Sequence, residues 1–191
     1  MVNPENPTGV EQDAMLVEKF VRGDERAFDL LFHRHKNGVY SLVRRTVGSS
    51  EADDLVQEVF VQIYKSLPSF RGDSAFRTWA LGIAMNVCRM WIRRNHNKNA
   101  MISIPFMEDI ADASTGVDSG LVEKIQLQRA ILSLTEDERY AVEMHYAQGM
   151  SYNEIAQAME CPSGTVKARV HSAITRLRRV LLPSMEEVVD I

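Results

Sequence analysis

The sequence has little of what most enzymes and secreted proteins need. Its 191 residues include only two cysteines, Cys88 and Cys161, whose spacing fits neither a metal site nor a disulfide, so both are expected to be buried thiols. It contains no phosphate-binding glycine loop, dinucleotide-binding motif, zinc-ligand cluster or nucleophile motif. It also has no run of about 18 apolar residues and no signal pattern. We therefore expect a cytoplasmic protein that is not an enzyme, binds no cofactor or metal and does not insert into a membrane.

Strand-like alternation of apolar and polar residues is almost absent, whereas apolar residues recur at helical spacing along most of the chain. This pattern predicts an all-α fold of two small helical domains joined by a flexible linker. The predicted divisions are a loose leader (1–10), a first domain (11–95), an acidic linker (96–120), a second domain (121–182) and a C-terminal tail (183–191).

The charge is unevenly distributed. The net charge is −4, yet residues 71–95 contain five arginines against one aspartate, and residues 161–182 contain five basic residues and no acidic one. Basic segments attract the phosphate backbone of nucleic acids, while a negative net charge limits non-specific binding. Two basic segments in an acidic protein therefore indicate two separate contacts with DNA.

The second basic segment belongs to a predicted helix–turn–helix, residues 150–182. Ser151 and Glu154 have the spacing of a capping box, which marks the start of a helix. The Cys161-Pro162 pair interrupts that helix, because proline lacks an N–H donor and restricts the residue before it. Ser163 is predicted to cap a second helix. A further capping box, Thr135 with Glu138, predicts the start of the helix that supports this pair.

The second helix of the pair has one apolar stripe and an opposite face of small residues edged by cations. Small side chains let a helix approach base edges in the major groove, while flanking cations reach phosphates. The alternative is an amphipathic surface helix with a solvated basic face, but the capped helix before it favours DNA binding. The candidate DNA contacts are Gly164, Thr165, Lys167, Ala168, Arg169, His171, Ser172 and Arg176.

Two helices of the first domain carry candidate surfaces. The segment EADDLVQEVFVQIYKSL has a predicted buried stripe and an acidic opposite face, for which a merely solvated surface is the alternative. The segment following PSFRGDSA has aromatic residues that fit a core better than a stacking platform, and a separate polar stripe of Asn86, Arg89 and Arg93. Earlier in the domain, His33 and His35 are two residues apart and so point to different helix faces. We expect them to be solvated rather than to bind a metal.

Together these segments resemble bacterial RNA polymerase sigma factors of the extracytoplasmic-function (ECF) group of the sigma-70 superfamily. Three motifs carry the resemblance: GDERAFDLLFHRH, DDLVQEVFVQIYKSLPSFRGDSAFRTWALGIAMN and SYNEIAQAMECPSGTVKARVHSAITRL. The last motif is also similar to the output domain of LuxR-type transcriptional regulators, which are not polymerase subunits. That alternative requires a receiver or ligand-binding domain with strands before it, whereas this sequence predicts helices there.

The resemblance implies a factor that binds core RNA polymerase, at the clamp helices of the largest subunit and at the flap, and directs initiation at promoters. Core contacts would be made by Asp53, Asp54, Gln57, Glu58 and Val61. The opened −10 element would be held by Phe70, Arg71, Arg77, Asn86, Arg89 and Arg93. The helix–turn–helix would read the −35 element as duplex DNA. The resemblance further implies an anti-sigma factor as a regulatory partner.

Overall fold

The computed structural model describes residues 9–95, 130–131 and 133–181, and within these ranges it contains helices and no strand. The α-helices are α1 (Gly9–Val21), α2 (Arg26–Val47), α3 (Ser49–Ser66), α4 (Phe76–Asn95), α5 (Glu136–Val142), α6 (Tyr152–Ala158) and α7 (Ser163–Leu181). Two compact units divide them: the first contains α1–α4, and the second contains α5, α7 and most of α6. The predicted all-α fold with two helical domains is confirmed.

Several predicted boundaries can be compared with these helices. The linker at 96–120 and the tail at 183–191 lie outside the described residues, as do residues 1–8 of the leader. The first helix begins at Gly9, two residues before the predicted start of the first domain at residue 11. Helix α7 begins at Ser163 itself, where the amides of Thr165 and Val166 donate to the carbonyl of Pro162. The predicted cap at Ser163 is therefore one residue late.

The first unit is a helical bundle in which α2, α3 and α4 pack against one another and α1 packs on α2. Its fully buried side chains include Leu31 and Leu42 of α2, Ile63 of α3, and Leu81 and Met85 of α4. Burial of each such side chain contributes roughly 1.5–3 kcal/mol to folding. The predicted buried stripe of α3 is confirmed in most of its members, since Ala52, Leu55, Val59, Ile63 and Leu67 are all buried.

A single glycine separates α2 from α3. Gly48 has a φ of 101°, and its amide donates to the Arg44 carbonyl at 2.9 Å to end α2. An L-amino acid side chain is strained at this φ, whereas glycine is not. The next helix then starts at Ser49 without a linker, so α2 and α3 form a tight helical hairpin.

A buried polar contact ties α1 to α2. Asp13 is 5% exposed, and its Oδ2 lies 2.9 Å from His35 Nε2, while its Oδ1 lies 3.3 Å from Arg34 Nε. The expectation that both histidines are solvated is therefore wrong for His35 and holds only for the exposed His33. Sequence spacing within α2 cannot reveal this contact, because the partner carboxylate comes from another helix.

The second unit is built from short helices and a wide turn. At the start of α5, Thr135 and Glu138 make the predicted capping box, with the Glu138 amide donating to Thr135 Oγ1 at 3.3 Å. The helix that starts at this box does not continue as a regular α-helix, because the backbone changes to a π-helix over Glu143–Ala147. Gly149, at a φ of 66°, ends this turn. The second capping box is also present, with the Ser151 amide donating to Glu154 Oε2 at 2.8 Å.

The two cysteines differ in environment. Cys88 is fully buried in α4, and desolvation by that burial raises the pKa of its thiol to about 12. Cys161 is only half-buried in the turn before α7, where its Sγ accepts a hydrogen bond of 3.4 Å from Arg169 Nη1. The expectation of buried thiols is therefore confirmed for Cys88 and wrong for Cys161.

Candidate nucleic-acid interface

The acidic face of α3 is open to solvent in the first unit. All five residues predicted to bind core polymerase are exposed: Asp53, Asp54, Gln57, Glu58 and Val61. They follow one another at helical spacing, so they share one side of α3 opposite the buried stripe. Val61 is 52% exposed, which places an apolar side chain at the end of an otherwise polar surface. A protein partner could bury it while pairing with the carboxylates.

An open groove between α2 and α3 borders this acidic face. Phe28, Phe32 and Tyr64 line it together with Gln57 and Val61 of the predicted core-binding set. The Phe28 and Tyr64 rings meet edge to face with centroids 5.0 Å apart. The acidic surface of α3 thus continues into an aromatic groove, a combination typical of protein-binding surfaces.

Five of the six residues predicted to hold the −10 element fall into two groups, and Arg77 belongs to neither. Phe70 and Arg71 lie before α4, where the Phe70 ring is 4.9 Å from Trp79 and 6.1 Å from Phe76. This cluster leaves Phe70 half-buried and Arg71 exposed. The aromatic residues at the start of α4 therefore support the loop that precedes it.

The second group lies further along α4. Asn86, Arg89 and Arg93 are spaced i, i+3 and i+7 and share one side of the helix, with Asn86 and Arg93 exposed and Arg89 half-buried. Arg77 is nine residues before Asn86, which at 100° per residue places it on the opposite side of the helix. A single strand of DNA cannot lie along one face of α4 and contact all four residues.

Helix α7 presents three stripes. Val166, Val170 and Ala173 are buried. Four small or polar residues opposite them are all exposed: Gly164, Ala168, His171 and Thr175. The third stripe, between the other two, contains Arg169, Ser172 and Arg176 at i, i+3 and i+7. Lys167 is exposed on the flank opposite Arg169, so the predicted DNA contacts are spread over the exposed face and both flanks of α7.

The third stripe faces the acidic first turn of α5. Ser172 Oγ donates to Glu138 Oε1 at 2.6 Å, and Arg176 Nε lies 3.6 Å from the same oxygen. Arg169 forms an ion pair with Asp137. Arg169, Ser172 and Arg176 were predicted to contact DNA, and each of these side chains already contacts a carboxylate of α5. Within the described ranges, no hydrogen bond or ion pair joins the exposed stripe with His171 to α5.

Glu138 is the carboxylate on which these contacts converge. It is 5% exposed, and this desolvation is the largest influence on its pKa and acts to raise it. The hydrogen bonds from Ser172 and Thr135 and the charge of Arg176 together outweigh it, so the pKa of Glu138 is lowered. The carboxylate is therefore held in its ionised form.

Thr175 and Glu138 are among the residues of this site that were not predicted contacts. Thr175 belongs to the exposed stripe of α7, and its position opposite the apolar stripe is visible in the sequence. Glu138 was identified only as a helix cap. Its second role depends on the packing of α5 against α7, which no spacing within either helix reveals.

No group of three or more histidine, cysteine, aspartate or glutamate side chains within the described ranges is placed to bind a metal. None of the helices in the described part of the chain is long and apolar enough to cross a membrane.

Comparison with known proteins assigns both units. Residues 31–98 match the model of the Sigma-70 region 2 family, and residues 124–177 match that of the Sigma-70, region 4 family. Over 171 residues the chain is 37% identical to the ECF RNA polymerase sigma-E factor of Escherichia coli (strain K12), a match that covers 84% of this chain and 90% of the relative.

Two solved structures have a similar fold. CnrH in complex with the cytosolic domain of CnrY has a TM-score of 0.67 and 22% identity, covering 91% of this chain and 99% of that one. The sigma factor RpoE in complex with the anti-sigma factor NepR from Bartonella quintana has a TM-score of 0.59 and 22% identity, covering 81% and 96%. At this level of identity the likeness concerns the fold.

Proposed function

This chain belongs to the ECF RNA polymerase sigma factors of the sigma-70 family, and on that premise we propose which promoter element each of its two units recognises. The observation that carries the assignment is the order of the two family matches, region 2 on the first unit and region 4 on the second. A LuxR-type regulator is not favoured, because the first unit is a four-helix bundle that matches sigma region 2. The chain acts as an initiation factor for RNA polymerase, and we propose that it has no enzymatic activity of its own.

Helix α3 is the proposed surface for core RNA polymerase. Its exposed residues Asp53, Asp54, Gln57, Glu58 and Val61 would contact the clamp helices of the largest subunit. The exposed carboxylates would pair with basic side chains of the polymerase, and burial of Val61 would add an apolar contribution. A contact of the second unit with the polymerase flap belongs to the same proposal.

The first unit is also the proposed site for the opened −10 element, through Phe70, Arg71, Arg77, Asn86, Arg89 and Arg93. Five of these residues form two separate groups, which supports a different role in DNA binding for each group. Phe70 and Arg71, in the loop beside Trp79, would hold a base outside the stack, where aromatic rings bind any base face. Asn86, Arg89 and Arg93 would follow the separated strand along α4.

The second unit is the proposed reader of the −35 element, through the helix–turn–helix of α6 and α7. The exposed stripe of α7 with Gly164, Ala168 and His171 would enter the major groove, with Thr165 and Lys167 nearby. Arg169 and Arg176 would lie against the phosphates on the flank. Ser172, bonded to Glu138, would lie on the same flank.

An anti-sigma factor is proposed as the regulatory partner. Two proteins with a similar fold are seen in complexes: RpoE from Bartonella quintana with the anti-sigma factor NepR, and CnrH with the cytosolic domain of CnrY. The α3 face and its aromatic groove are the exposed surfaces that such a partner could cover. We propose that the chain acts in the cytoplasm, where it would meet core polymerase and promoter DNA.

In vitro transcription tests this function directly. Purified chain and core polymerase from the same bacterium are incubated with a genomic promoter library, and promoter-dependent transcripts are sequenced. We expect transcripts whose start sites share both a −35 and a −10 sequence, and scrambling either element in a selected promoter should abolish its transcript. Absence of any promoter-dependent transcript with active core polymerase would contradict the proposal.

A further inference from the structure

We propose that Glu138 is a positioning residue for −35 recognition, which orients the guanidinium of Arg176 so that it can bind a DNA backbone phosphate. This inference rests on the proposed function of α7 and extends it to a residue of the supporting helix. Glu138 is buried and lies in the capping box of α5. It would therefore act through Arg176 without touching DNA.

The two oxygens of this carboxylate have different partners. Oε2 accepts the Thr135 amide at 2.9 Å and so completes the cap of α5. Oε1 accepts the Ser172 hydroxyl at 2.6 Å and lies 3.6 Å from Arg176 Nε. One rigid carboxylate thus connects the start of the supporting helix to two successive turns of the recognition helix. A cap alone requires only the first of these contacts.

Arg176 is held at two points. Its Nε faces Glu138, and its Nη1 donates to the Ser133 carbonyl at 3.2 Å. The Nη2 group takes part in neither contact, and the side chain is 43% exposed. A guanidinium is planar, so fixing Nε and Nη1 also fixes the direction of Nη2.

The surroundings of Arg176 suit an anion. An open depression on α7 is lined by His171, Ser172, Thr175, Arg176 and Arg179. The depression lies between the exposed stripe of α7, which is proposed to enter the major groove, and the flank that carries Arg176. A phosphate at this edge would find two guanidinium groups, of which one is already oriented. Pre-orientation strengthens binding because less side-chain freedom is lost when the phosphate arrives.

If Glu138 affected DNA only through its charge, its substitution would change the DNA affinity in the opposite direction. If Glu138 only capped α5, its negative charge near DNA would repel phosphates, and Glu138→Gln would strengthen binding. If Glu138 orients Arg176, the same substitution would weaken binding. The direction of the change therefore separates the two roles.

The experiment uses the full chain assembled with core polymerase. The probe is a fluorescent duplex carrying only the −35 sequence that the wild-type holoenzyme selects from a randomised library, and binding is measured by anisotropy at several salt concentrations. We expect Glu138→Gln to weaken binding about three- to ten-fold, which lies within the range of coupled contacts, with the same order of preference among sequences. The control Glu136→Gln removes a carboxylate from the same turn of α5 and should bind as tightly as wild type or more tightly.

Two further variants make the result decisive. In an Arg176→Ala background, Glu138→Gln should have no additional effect on DNA binding, because the residue through which it acts is gone. Arg176→Lys keeps the charge but replaces the rigid planar guanidinium by a rotatable ammonium, so no donor is held in a fixed direction and binding should also weaken. Wild-type affinity of Arg176→Lys would overturn the positioning role even if Glu138→Gln does not fold.

Equal or tighter binding by Glu138→Gln, or wild-type affinity of Arg176→Lys, would overturn the positioning role while leaving the −35 function intact. Failure of the wild-type holoenzyme to select any −35 duplex would instead overturn the proposed function on which this role depends.

Discussion

The Glu138 carboxylate and the Thr135 amide are joined by a hydrogen bond of 2.9 Å at the first turn of α5. Burial raises the pKa of Glu138, but the hydrogen bonds from Ser172 and Thr135 and the charge of Arg176 outweigh it, so the pKa in the folded chain is lowered from its ordinary value of 4.5. A carboxyl group with a lower pKa in the folded state than in the unfolded state stabilises the fold above its unfolded pKa. That contribution is lost as the pH falls through the folded pKa.

The second unit should therefore lose stability in acid, below about pH 4.5, partly through this one residue. Glu138→Gln should make the unit less stable at neutral pH and reduce its dependence on pH between neutrality and the acid range. Hydrogen exchange at the backbone amides of α7 provides the measurement, because it reports the stability of this helix directly. The same pH dependence in Glu138→Gln as in wild type would show that other groups are responsible. Glu136→Gln is the matched control.

Charge reversal on α3 should weaken binding to core polymerase. Asp54 is exposed on the proposed core-binding face, so Asp54→Lys replaces an attractive charge by a repulsive one without disturbing the bundle. We expect at least a ten-fold rise in the Kd for core polymerase, measured by fluorescence anisotropy, and a change of under about 0.5 kcal/mol in the free energy of unfolding.

The matched control for Asp54→Lys is Glu18→Lys. It makes the same change of charge at an exposed position of α1 in the same unit. An equal loss of affinity in both variants would show that net charge matters and that the α3 face has no specific role.

Loss of Asn86 or Arg89 should impair promoter opening more than initial binding. These side chains share one side of α4, where they are proposed to follow the separated strand. A hydrogen bond to a charged group such as a phosphate contributes roughly 1.5–3 kcal/mol, so Asn86→Ala or Arg89→Ala should reduce open complexes by about ten-fold or more. Permanganate footprinting of the −10 region measures opening, and gel shift at low temperature measures the closed complex.

Arg94→Ala provides the control for Arg89→Ala, because it removes the same charge from the same helix outside the proposed stripe. Equal footprints in wild type, Asn86→Ala and Arg89→Ala would argue against strand binding by α4.

Replacement of His171 should change which −35 sequences are preferred. His171 is exposed on the stripe opposite the buried residues of α7, whereas the Ser172 hydroxyl is bonded to Glu138. His171→Ala should therefore alter the sequence preference measured over a randomised −35 library, and Arg176→Ala should weaken all sequences about equally and reduce the salt dependence by roughly one counterion. A change of preference in Arg176→Ala but not in His171→Ala would mean that α7 is rotated in the groove relative to this placement.

The helical periodicity of the sequence predicted the fold well because each helix has its own apolar stripe. The buried residues of α3 follow that periodicity, and both capping boxes form where their residue spacing predicted them. Boundaries were less accurate, since the first turn of a helix contributes little to its stripe. The π-helix at Glu143–Ala147 was not predicted, because its composition does not differ from that of an α-helix.

Contacts between helices could not be predicted from such patterns. His35 is bonded to Asp13 of α1, and Ser172 to Glu138 of α5, across 22 and 34 residues of sequence. Spacing within one helix assigns a side chain to a face, but it does not reveal which neighbour covers that face. This is why the exposed stripe of α7 could be predicted, whereas the tie between its flank and α5 could not.

The short helices of the second unit have a consequence for how its DNA-binding surface forms. Helices α5 and α6 are each seven residues long, about half the length at which an isolated helix becomes even marginally stable in water. Neither can persist without the packing that the folded unit provides, so the unit should fold in one cooperative step. A synthetic peptide spanning only residues 151–181 would then lack a stable α6 packed against α7, and it would have a basic composition without the geometry that reads a sequence.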